Sequence, residues 1–156
     1  MEFRIVYLPP FRAASSGLDP ECDFSPEGRL GKFNAYFSAI RPEPRDAFMP
    51  RDFLFYDEER GGMVWWYALA EGMDDGGNEI AEFDGGYYLT YVYRDGDEEA
   101  NGALYREALK HIGDSEIFAS NARPNHYAMG QIITPAEIID RQGFAQMEVF
   151  VPIKLK

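Results

Sequence analysis

The chain has 156 residues and a formal charge of -12, from 27 acidic against 15 basic side chains. Such a surface repels phosphate backbones and anionic membrane surfaces and attracts cations, organic ones included. Cys22 is the only cysteine, so no intramolecular disulfide forms, and with no apolar run long enough for a signal or a membrane span a reducing, cytoplasmic setting is expected.

Residues 2–15, "EFRIVYLPPFRAAS", read as an extended strand interrupted by Pro9-Pro10, which implies an edge or a bulge. Ser25 then Pro26 mark a helix start, with Ser as N-cap and Pro in the first turn. Leu30, Phe33, Phe37 and Ile40 follow at helical spacing, which puts Phe37 in the core, and Pro42 stops the helix. "RDFLFYDEERGGMVWWYALA" (51–70) then reads as two strands joined by a turn at Glu59-Arg60-Gly61-Gly62. The Gly- and Asp-rich stretch "EGMDDGGNE" (71–79) is expected to be a linker.

After the linker the order recurs. "IAEFDGGYYLTYVYR" (80–94) is a strand interrupted by Gly85-Gly86, where Pro9-Pro10 sat in the first half. Asp97, Glu98 and Glu99 suit the first turn of a helix, Leu104, Tyr105, Ala108, Leu109 and Ile112 form its apolar stripe, and Gly113 ends it. "NHYAMGQIIT" (125–134) and "FAQMEVFVPIK" (144–154) read as two more strands. Between them Thr134-Pro135-Ala136-Glu137 resembles a capping box and predicts a short helical turn. The expected fold is α+β: two pseudo-symmetric strand–helix–strand–strand repeats in a single domain, 1–156. Repeat one covers about 2–70 and repeat two about 80–155. Helices would cover one face of a mainly antiparallel sheet, leaving a ligand cleft on the other.

The aromatic share of 15%, with 12 Phe, 10 Tyr and 2 Trp, exceeds ordinary core needs and suits a cleft or an interface. In "QMEVFVPI" (146–153), Met147, Val149, Val151 and Ile153 share an apolar face, which points to the helix-covered core. Glu148 and Phe150 then face the cleft. Laying "MVWWYALA" (63–70) over this strand places Trp66 with Val149 in the core and Trp65 and Tyr67 with Glu148 and Phe150 in the cleft. Rings beside one acid suit a flat, lipophilic cation, with cation–π attraction of about 0.5–2 kcal/mol per contact. Tyr127 and Met129 share one face of the fifth strand, Ala128 and Gly130 the other. Tyr87, Leu89, Tyr91 and Tyr93 lie opposite Tyr88, Thr90 and Val92. Alternation leaves open which of these faces looks into the cleft; Tyr127, Met129 and Tyr91 join the candidate ligand-binding set. His111 and His126 stand far apart with no Cys or Asp motif, so neither a zinc site nor any cofactor is expected. Arg94 and Arg123 read as surface charges.

The repeat, "GGYYLTYVY" (85–93) and above all "MEVFVPIK" (147–154) resemble the GyrI-like (gyrase-inhibitor-like) small-molecule-binding family over nearly the whole chain. That resemblance implies two strand–helix–strand–strand units related by a pseudo-twofold, with ligand in an aromatic cleft. Such domains serve as effector-binding domains of AraC-type and MerR-type multidrug regulators, and also occur alone. Glu148 matches the family's last-strand Glu-aromatic-Pro pattern. Many drug-binding members carry another Glu two residues before a Tyr in the fifth strand. Here that stretch, "NHYAMGQ" (125–131), has no carboxylate, a departure that either argues against broad cation binding or leaves the whole task to Glu148. Because Met1 already begins the first strand, a stand-alone form without a DNA-binding module is expected.

Three functions follow as expectations. The first is a binding module for lipophilic or cationic small molecules, as sensor or in detoxification. The second, which the resemblance implies through some stand-alone members, is a hydrolase of strained, cyclopropane-bearing toxins, with Glu148 as catalytic base or as the stabiliser of a carbocation-like centre among the rings of Trp65 and Tyr67. The third is a protein-interaction module such as a gyrase modulator. A second copy of the chain is a further candidate to cover an exposed aromatic cleft.

Overall fold

Pro9-Pro10 and Asp84-Gly85 divide the chain. In the computed structural model, which describes residues 2–156, contacts cluster into two units, residues 2–9 with Gly85–Lys156, and Pro10–Asp84. The chain is α+β, and all strand pairing within each unit is antiparallel. Among the described residues no helix is long and apolar enough to cross a membrane.

The single interrupted strand expected at 2–15 is two strands, β1 (Arg4–Leu8) and β2 (Phe11–Ser15). Proline has no N–H for a ladder and fixes its φ, so Pro9-Pro10 ends one pairing and begins another. The first strands of the two halves are exchanged. β1 pairs with β6 (Gly86–Arg94), and β2 pairs with β5 (Glu79–Phe83). Gly86, at φ +151°, takes a backbone conformation that side-chain-bearing residues rarely adopt, at the matching break in the second half.

In the unit Pro10–Asp84 the order is β5, β2, β4 (Gly62–Ala68), β3 (Asp52–Asp57). Helix α1 (Arg29–Ser38) covers one face through Phe33 and Phe37, packed with Ala14, Trp65 and Tyr67. Each buried Phe contributes about 1.5–3 kcal/mol of burial free energy. The helix begins at Arg29, with Gly28 as N-cap, and not at Ser25-Pro26. Asp23 and Ser25 form a turn there instead, with Asp23 Oδ1 accepting from the Ser25 N–H at 2.9 Å. A one-turn 3₁₀ helix, Pro44–Ala47, precedes β3 and ties the buried Arg51 to Asp46 (2.7 Å) and Glu43 (2.9 Å).

In the other unit, β9 (Gln146–Leu155) pairs with β6 along one side. Along the other it pairs first with β8 (Met129–Ile132), then with β7 (Phe118–Ser120). Helix α2 (Glu98–Asp114) is capped by Asp97, whose Oδ1 accepts from the Ala100 N–H at 3.0 Å. It ends at Asp114, one residue beyond Gly113. Its Ala108 and Ile112 pack on Leu89, Tyr91, Tyr93, Val149, Val151 and Ile153. The short helix α3 (Ala136–Gln142) is present, but the capping box is not. The Thr134 hydroxyl accepts from the Gln146 N–H instead, at 2.8 Å.

Candidate functional site

Trp65 and Trp66 point to opposite faces of β4, and the assignment expected from overlaying the repeats is reversed. Trp65 lies on the α1 side, within 6.1 Å of Phe33 and 5.8 Å of Phe24 by ring centroids. Its Nε1–H donates to Asp52 Oδ2 at 3.2 Å. Tyr67 stacks on Phe37 at 4.3 Å and 17°. Trp66 instead faces away from α1, 2% exposed, among Phe11, Phe55 and Phe83. The physical reason is a one-residue offset in the overlay, which exchanges every side chain between faces. Trp65 and Tyr67 are therefore α1-side packing residues.

Val149, Val151 and Ile153 pack under α2, and Glu148 and Phe150 point the other way. Register identifies their company. Thr90 and Met129 flank Phe150, Val92 and Gln131 flank Glu148, and Tyr88 lies beside Pro152. Met129 is thus brought opposite Phe150, on the face of β9 that also carries Glu148. The helix-free set is Met129 with Tyr88, Thr90 and Val92. Tyr91 goes to the α2 side, where its hydroxyl donates to Asn101 Oδ1 at 2.7 Å and burial raises its pKa. Tyr127 is half-buried and precedes β8, outside the ladder in which it was expected.

Glu148 is 6% exposed and Phe150 is fully buried. Arg4 reaches the carboxylate from β1, with Nη2 at 3.2 Å from Oε1 and 3.5 Å from Oε2. In register Arg4 stands opposite Thr90, so the guanidinium crosses the width of β6 to reach β9. Thr90 and Gln131, both 2% exposed, add a hydroxyl and an amide to this face. Farther along it, Tyr88 Oη and His126 Nδ1 lie 3.4 Å apart, and both residues are buried. The face therefore combines one carboxylate, neutral hydrogen-bonding groups, two rings and a thioether.

Sequence reasoning missed Arg4, Thr90, Gln131 and the Tyr88–His126 pair. Arg4 carried a usable signal: in "RIVYL" its parity matches Val6 and Leu8, an odd place for a charge on an apolar strand. Among the described residues no group of three or more His, Cys, Asp or Glu could hold a metal ion.

No protein-family profile and no curated protein sequence matches the chain. Solved structures do. The C-terminal domain of EcmrR aligns over 99% of both chains at 12% identity, with a TM-score of 0.54. SAV2435, solved bound to tetraphenylphosphonium, aligns over 99% of this chain and 94% of that one at 9% identity, with a TM-score of 0.49. The first likeness assigns the fold. The chain has the α+β fold implied by the GyrI-like resemblance.

Proposed function

We propose that the chain is a small-molecule-binding module, and that it takes lipophilic organic cations on the helix-free face carrying Glu148. One observation carries this reading. A carboxylate 6% exposed sits between Val92 and Gln131 across the ladder, on the same face of its strand as Phe150, and its ion partner Arg4 has a side chain 59% exposed. Burying a carboxylate costs free energy unless it is paired, and a bound organic cation supplies that pairing. Phe150 and Tyr88 offer ring area and Met129 an adaptable thioether, which suit a greasy ligand better than a hydrated inorganic ion.

The residues directly across the ladder from Glu148 are Val92 and Gln131. The acidic surface adds long-range attraction for cations. A role in sensing or detoxification would follow from such binding.

Methyl NMR tests the face. Addition of tetraphenylphosphonium is expected to shift the Met129 methyl, opposite Phe150, and to leave the Met147 methyl in place. Met147 packs on the α2 side, where it accepts from the Tyr93 hydroxyl at 3.4 Å. Shifts confined to Met147, or no shift at saturating probe, would overturn the proposal.

A further inference from the structure

We infer that Arg4 is the specificity-determining residue of this site: a tethered guanidinium that an incoming cation displaces from Glu148. The inference rests on the binding reading above. It starts from an asymmetry within the pair. The Glu148 side chain is 9% exposed and that of Arg4 is 59% exposed. The acid is fixed in the sheet. The base reaches it from the edge strand β1, over β6, with most of its length in solvent. Mobile and always charged, the guanidinium can leave without unfolding anything.

The consequence is competition. A tethered partner acts at an effective concentration in the millimolar range or above. A small cation offers Glu148 nothing that the guanidinium does not already supply, and is excluded. A cation joined to aromatic rings gains area on Phe150 and Tyr88 as well as the charge contact, and that excess displaces Arg4. Arg4 thereby narrows the site to large lipophilic cations. It also keeps Glu148 paired when no ligand is bound.

Calorimetric titration of the full chain and its Arg4→Gln variant with tetraphenylphosphonium and neutral triphenylphosphine oxide tests this. Arg4 is exposed enough for the variant to fold. Loss of a part-exposed ion pair corresponds to a gain in phosphonium affinity of about three- to fivefold, with affinity for the neutral oxide unchanged. Unchanged or weaker phosphonium binding by Arg4→Gln, while Glu148→Gln still lowers it by at least about tenfold, would overturn the role of Arg4 and leave the binding site intact. Phosphonium affinity unaffected by Glu148→Gln would overturn both.

Discussion

The indole of Trp65 donates to Asp52 Oδ2 at 3.2 Å on the α1 side of β4. Burial raises the pKa of Asp52, and the hydrogen bond from Trp65 offsets only part of that rise. A raised carboxyl pKa means that the folded chain holds the proton more tightly than the unfolded one. Stability contributed by this group therefore falls as pH rises from the unfolded value toward the folded value, and the cost of the buried charge persists at neutral pH. Asp52→Asn keeps an acceptor for the indole and removes the charge. It is expected to raise the melting temperature at pH 7 by about 1–2 °C, on the order of 0.5 kcal/mol, with the gain vanishing at about pH 3. Melting curves of both proteins at the two pH values check this.

The two tryptophans differ in access. Trp66 is 2% exposed among Phe11, Phe55 and Phe83, while Trp65 is half-buried beside the exposed Phe24. In single-tryptophan variants, acrylamide should quench the Trp66→Phe protein, which retains Trp65, more strongly than the Trp65→Phe protein. Trp66→Ala should cost about 3–5 kcal/mol in chemical denaturation.

Two helical glycines should respond in opposite directions. A Cβ at Gly31 in α1 would stand 1.8 Å from the Ser25 carbonyl oxygen, a backbone atom that cannot swing aside. Gly31→Ala is expected to destabilise by about 1–3 kcal/mol or more. A Cβ at Gly102 in α2 would meet only the end of Arg106, at 3.4 Å. Gly102→Ala is expected to stabilise by about 0.5–1 kcal/mol, through helix propensity. Urea unfolding of both variants measures the difference.

The legible parts of the chain were those where a local pattern has one physical meaning. The stripe from Leu104 to Ile112 and the acids at 97–99 specify α2, and both are in place. In β9 one carboxylate among apolar residues fixes parity, and Glu148 faces away from α2 as its alternation implies. β4 has no such marker: "MVWWYALA" is apolar on both faces, so either parity fits. Borrowing parity from β9 required an alignment accurate to one residue, and the repeat was too diverged to supply it. The exchange of β1 and β5 was hidden for another reason. Pro9-Pro10 marks a break but does not name the partner on either side, because pairing is a long-range choice between similar edges. Arg4 became meaningful only once β1 lay next to β6.

Glu148 is proposed to supply the charge that holds a lipophilic cation on the helix-free face. Isothermal titration of tetraphenylphosphonium into the native chain and into Glu148→Gln tests it most directly, with circular dichroism confirming the same fold. The account predicts saturable binding by the native chain and a loss of affinity of at least about tenfold, roughly 1.4 kcal/mol, in the variant. Equal affinities in the two folded proteins would contradict it.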